Sequence, residues 1–103
     1  MKTAELTGAA LDWVVAKCQN IHLTPHLGGW AYASYSTNWA QGGPIIAREK
    51  ISIEWTGEDW MAYIFHDEEC FGPTPLIASM RCYVASKLGD EVEVPDELLE
   101  KEV

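Results

Sequence analysis

Lys50-Ile51-Ser52-Ile53-Glu54-Trp55-Thr56-Gly57-Glu58-Asp59-Trp60-Met61-Ala62-Tyr63-Ile64-Phe65 reads as a β-hairpin. Ile51, Ile53 and Trp55 alternate with Ser52 and Glu54, the period-two pattern of a strand with one buried face. Thr56-Gly57-Glu58-Asp59 is a turn cluster of hairpin length. The second run differs, because Trp60, Ala62 and Ile64 share one face while Met61, Tyr63 and Phe65 share the other. Both faces are apolar. One is expected to pack on helices and the other to be covered by a partner subunit or a ligand, which predicts a homo-oligomer.

Helices flank this hairpin. Upstream, Thr7 is a good N-cap for a helix over Gly8–Cys18, where Ala10, Leu11, Val14 and Cys18 recur at helical spacing. Asp12 and Lys17 fall on the opposite, solvent side of that pattern. Downstream, Gly72-Pro73-Thr74-Pro75 opens the last main helix, with Thr74 as N-cap and Pro75 at the first helical position. Leu76, Ile77, Met80, Val84 and Leu88 form its apolar stripe, Lys87 suits its C-terminal dipole, and Gly89 stops it. Between the two helices, residues 21–29 read as a connecting loop, Trp30–Tyr35 as a strand and 36–44 as a loop, with Ile45-Ile46 starting a second strand or a short turn. Lys2–Glu5 reads as an opening strand. The fold class is α+β, a small antiparallel sheet of three to four strands packed with two helices. Residues 1–89 form a single domain and 90–103 an acidic C-terminal tail with a short helical start at Pro95-Asp96.

The 103 residues fit one domain, and a chain of this size folds without a metal or disulfide. The net charge of −9 repels phosphate polyanions, so no nucleic acid is expected as partner. Residues 90–103 hold seven acids and one base, which is most of that charge. The rest of the chain, with nine acids and six bases, leaves room for a pocket that takes a small anion. Cys18, Cys70 and Cys82 are an odd set, and Cys18 and Cys82 read as buried small hydrophobes. With no signal peptide and no long apolar run, the expected place is the cytoplasm, with no membrane as partner.

The segment with the most recognition chemistry is Tyr35-Ser36-Thr37-Asn38-Trp39-Ala40-Gln41-Gly42-Gly43-Pro44. Tyr35 and Trp39 offer flat apolar faces, and Asn38 and Gln41 offer paired donors and acceptors. Gly42 and Gly43 permit close approach, and Pro44 sets the exit. Five tryptophans exceed what so small a core needs, which favours recognition for some of them. The start of the last helix adds Thr74 and the helix dipole, and Arg81 lies about a turn and a half further on. The plain structural alternatives are a ring that covers the core and a capped helix with a surface arginine.

Catalytic and metal motifs are weak. His22 with His26, and His66 with Cys70, have four-residue spacing, but Pro25 interrupts the first pair and no paired-cysteine motif is present. Asp67-Glu68-Glu69 opposes activation of Cys70 as a nucleophile. No nucleophile elbow, phosphate loop or metalloprotease motif occurs. The chain is therefore read with no catalytic residue, metal or cofactor, as a binder rather than an enzyme.

Three segments together resemble the NinX-like family of phage accessory proteins, a family of unknown function. They are Lys2-Thr3-Ala4-Glu5-Leu6-Thr7-Gly8-Ala9-Ala10-Leu11-Asp12-Trp13, Ser36-Thr37-Asn38-Trp39-Ala40-Gln41-Gly42-Gly43-Pro44-Ile45-Ile46 and Gly72-Pro73-Thr74-Pro75-Leu76-Ile77-Ala78-Ser79-Met80-Arg81-Cys82. The likeness covers nearly the whole chain and departs from the family pattern in 21–34. It implies a phage accessory role in the host cytoplasm during infection. Counter-defence is the expected form of that role: sequestration, without turnover, of a small nucleotide-type signalling molecule. The residues expected to hold it are Tyr35, Asn38, Trp39, Gln41, Gly42, Gly43, Pro44, Thr74 and Arg81. The alternatives are an inhibitor of a host defence protein that uses its acidic surface, and an enzyme that degrades a nucleotide signal.

Overall fold

The computed structural model describes residues 1–21, 33–65 and 67–99. Its order is a 3-10 turn (Thr3–Glu5), α1 (Gly8–Cys18), α2 (Trp39–Glu49), β1 (Ile51–Trp55), β2 (Trp60–Ile64), β3 (Cys70–Gly72), α3 (Pro75–Leu88) and a short α4 (Asp96–Leu99). The three strands form one antiparallel sheet in the order β1-β2-β3. The α+β class and the strand number agree with the sequence.

The hairpin forms where its alternation places it, with Ile51 opposite Ile64, Ile53 opposite Ala62 and Trp55 opposite Trp60. Thr56 closes the turn: its N–H donates to the Asp59 carbonyl at 3.0 Å and its hydroxyl to the Asp59 carboxylate at 2.8 Å. Gly57 occupies the turn with φ 103°, a conformation that suits glycine. Beside the turn the paired Trp55 and Trp60 rings meet at an interplanar angle of 57° with centroids 5.2 Å apart.

Register divides the sheet into two faces. Ile51, Ile53, Ala62, Ile64, Cys70 and Gly72 face α3, which lies across all three strands. Ser52, Glu54, Met61, Tyr63 and Phe71 face away from it. α3 is enclosed on both sides, between the sheet on one and α1 and α2 on the other, and it buries Leu76, Ala78, Ser79, Met80, Cys82, Tyr83 and Val84. Covered on two sides along most of its length, α3 is the centre of the molecule, and its last turn, Ser86–Leu88, reaches the surface.

α1 matches its expected bounds, with Thr7 in extended conformation at the N-cap position, although the Thr7 side chain makes no capping bond. Asp12 differs from expectation. It is buried, and its Oδ1 accepts the Ser36 N–H at 2.8 Å. Helical periodicity assigned it to solvent because the segment that covers it, before α2, lies far away in sequence.

Several elements correct the sequence reading. Residues 39–44 are helix and not loop, and Ile45-Ile46 continue that helix instead of starting a strand. Asn38 caps it by accepting the Ala40 N–H at 2.8 Å. Gly42 and Ile45 are its buried residues, and the contact they make outweighs the helix-breaking character of Gly-Gly-Pro. Of the strand expected over 30–35, residues 33–35 are irregular or turn, and 30–32 lie outside the described residues. Lys2 makes only an isolated bridge with Glu91, followed by the 3-10 turn. β3 was not foreseen, since three residues carry too little pattern.

The N-terminal residues pair with the segment after α3. The Met1 ammonium donates to the Val92 carbonyl at 2.9 Å, the Thr3 N–H to Asp90 O at 2.8 Å, and the Thr3 hydroxyl to Gly89 O at 2.7 Å. Val92 and Leu98 are buried in the core. The acidic segment is thus docked through at least residue 98.

Candidate functional site

The first turns of α2 and α3 meet at a small cleft. Ser36, Thr37 and Trp39 line one side, and Thr74, Pro75, Leu76 and Ile77 line the other, around a cavity of about 240 Å³. Each wall has a local cause. Asn38 caps α2, so Trp39 is its first residue and stands 53% exposed beside the opening. Thr74 caps α3 by accepting the Ile77 N–H at 3.0 Å, and Pro75 takes the first helical position as its sequence predicts. Asp12 fixes the floor, because its bond to the Ser36 N–H ties the cleft-lining segment to α1. Burial raises the Asp12 carboxyl pKa, and the hydrogen bond from the Ser36 N–H opposes that shift.

Gly42 sets how close the two walls come. A Cβ on Gly42 would stand 2.5 Å from the Tyr35 carbonyl oxygen and 2.6 Å from Leu76 Cδ1. Only glycine lets α2 seat this closely on Tyr35 and on the first turn of α3. Gly43 has no such constraint, since its nearest atom would be Trp39 Cε3 at 4.0 Å.

The electrostatic character comes from the two helix starts. Backbone N–H groups and the positive ends of both dipoles gather where α2 and α3 begin. Pro75 has no N–H, and Thr74 accepts that of Ile77. Among the described residues, no acidic side chain lines this cleft. The larger cavities, of about 280, 370 and 460 Å³, are bordered by Glu68 together with Asp67, Glu69 or Asp90 and disfavour an anion.

The nine residues singled out in the sequence divide among several roles. Trp39 and Thr74 come together at the cleft. Asn38 and Gln41 engage backbone, with Gln41 Oε1 accepting the Ser34 N–H at 2.7 Å. Tyr35 is partly buried against the core, Gly42 seats α2, and Gly43 and Pro44 lie within the helix. Arg81 lies elsewhere. Its Nε donates to Leu6 O at 2.7 Å and its Nη1 to Phe71 O at 2.8 Å, and it lines the acidic cavity with Cys70. Ser36 and Asp12 are the residues that sequence reasoning passed over.

The family described as Bacteriophage P22, NinX matches this chain over residues 2–87. The chain belongs to that family. The matched span contains the whole cleft and every strand of the sheet. No curated protein matches the chain. This member of the phage NinX family has, among its described residues, no helix long and apolar enough to cross a membrane. No cluster of three or more potential metal ligands occurs among those residues, while His22, His26 and His66 lie outside them.

Proposed function

We propose that this phage protein binds and sequesters a small anionic nucleotide-type signalling molecule without turnover, as a counter-defence sponge. The observation that carries the reading is the meeting of two helix starts beside the half-exposed Trp39 ring. The helix starts suit a phosphate and the ring suits a base. A cavity of about 240 Å³ takes only part of a nucleotide, so the rest lies across the Trp39 face or against a second copy of the chain. An assembly of copies in the host cytoplasm, with paired clefts, enclosing its guest is the form the reading favours.

The test is direct. The purified protein is mixed with cyclic and ADP-ribose-derived nucleotides, binding is followed by tryptophan fluorescence and thermal shift, and released ligand is identified by mass spectrometry after heating. A bound nucleotide comes back unaltered, and Trp39→Ala loses binding by at least about tenfold while its unfolding curve moves by no more than about 0.5 kcal/mol. Failure of every nucleotide to bind removes the proposal, and return of an altered nucleotide converts it to an enzyme.

A further inference from the structure

We propose that Cys70 and Cys82 are a paired-thiol modification site that forms a reversible intramolecular disulfide by exchange with a low-molecular-weight disulfide. The placement follows from the contact between β3 and α3. A Cβ on Gly72 would stand 2.7 Å from the Ala78 backbone nitrogen, so strand and helix nearly touch there. Two residues back along β3 is an advance of about 6.6 Å, and four residues on along α3 is about 6 Å. Those equal steps lead to Cys70 and Cys82. Midway, Arg81 Nη1 holds the Phe71 carbonyl at 2.8 Å and keeps the two elements in register.

Each thiol is the largest influence on the acidity of the other: Cys82 lowers the Cys70 pKa despite burial and the nearby Glu68 and Asp90 carboxylates, with Arg81 also favouring the thiolate, and Cys70 raises that of Cys82. Both are reachable. Cys70 lines a cavity of about 370 Å³ and Cys82 one of about 280 Å³, and the two cavities share Glu68, Ala85 and Asp90. Cys18 has no such partner among the described cysteines, and burial raises its pKa.

The exchange balances. The Cys70 thiolate attacks one sulfur of the small disulfide, whose S–S bond breaks and releases one thiolate. Cys82 then gives its proton to a released thiolate and attacks Cys70 Sγ, expelling the second. Two protein thiols are oxidised and one small disulfide is reduced to two thiols.

The full chain is equilibrated in glutathione buffers of rising oxidised fraction, quenched by alkylation and mapped by mass spectrometry. The expected product is one Cys70–Cys82 crosslink, two hydrogens lighter, reversed by dithiothreitol, with Cys18 still free to be alkylated. Cys70 reacts at least about tenfold faster than Cys18 at neutral pH. Cys82→Ser stalls as a glutathione adduct on Cys70. Persistent adducts without a crosslink in the unsubstituted chain, a crosslink through Cys18, or three unreacted thiols at every ratio overturns the proposal.

Discussion

Replacing Gly42 and Gly43 by alanine, one at a time, tests how α2 is seated. In a helix interior, alanine is favoured over glycine by about 1 kcal/mol, and both substitutions gain that amount. At Gly43 nothing opposes it, because the new methyl would meet Trp39 Cε3 only at 4.0 Å. At Gly42 the methyl would meet the Tyr35 carbonyl oxygen at 2.5 Å and Leu76 Cδ1 at 2.6 Å. Leu76 can adjust, but a backbone carbonyl cannot turn aside without moving its segment. Such overpacking costs about 3 kcal/mol at the upper end of its usual range. Gly42→Ala therefore loses about 2 kcal/mol net, and Gly43→Ala gains up to about 1 kcal/mol. The two variants separate by on the order of 15 °C in Tm for a domain of this size. Urea unfolding with linear extrapolation measures both against the unsubstituted chain. Equal stability of the two variants would refute the close seating of α2 on Tyr35 and Leu76, and with it the narrow cleft between Trp39 and Thr74.

Other substitutions probe the contacts around the cleft. The raised Asp12 pKa means that this group contributes fully to stability below its unfolded pKa and loses that contribution as pH rises through the folded value. Asp12→Asn keeps an acceptor for the Ser36 N–H but not the buried charge, so unfolding from about pH 4 to pH 8 should show the unsubstituted chain falling relative to the variant as pH rises. Arg81→Ala abandons bonds to the Leu6 and Phe71 carbonyls and costs about 2 kcal/mol or more in denaturant titration, and Arg81→Lys does not restore it because one ammonium lacks the guanidinium fork. Thr74→Ala removes the α3 cap at a cost of about 1 kcal/mol, read as a lower urea midpoint. Substituting exposed Glu91, Glu93 and Asp96 with their amides tests an acidic-surface inhibitor better than deleting residues 90–103, since deletion strips buried Val92 and Leu98 from the core.

The parts of the fold legible in the sequence are those whose signals are local. Alternation over residues 51–55, a turn closed by its own threonine, and a Thr74-Pro75 start with a Gly89 stop each decide their element within a few residues. α2 was not legible because Gly42, Gly43 and Pro44 oppose a helix locally, while the contacts that support it come from Tyr35 and Leu76. β3 depends on pairing with β2, and the bridge between Lys2 and Glu91 joins opposite ends of the chain. The candidate site followed the same rule. Trp39 and Thr74 were marked by their chemistry and meet at the cleft, whereas Arg81 was marked by its charge and is spent on two carbonyls across the molecule.

The position of α3 over all three strands has a kinetic consequence. The sheet and its covering helix occupy one uninterrupted stretch, residues 51–88, so their mutual contacts close short loops at small entropic expense. α1 meets the same helix across a much longer stretch of chain, at larger entropic expense. The hairpin and α3 should accordingly form the folding nucleus, with α1 condensing onto it late: truncations in Ile53 or Met80 slow refolding, whereas Val14→Ala chiefly speeds unfolding.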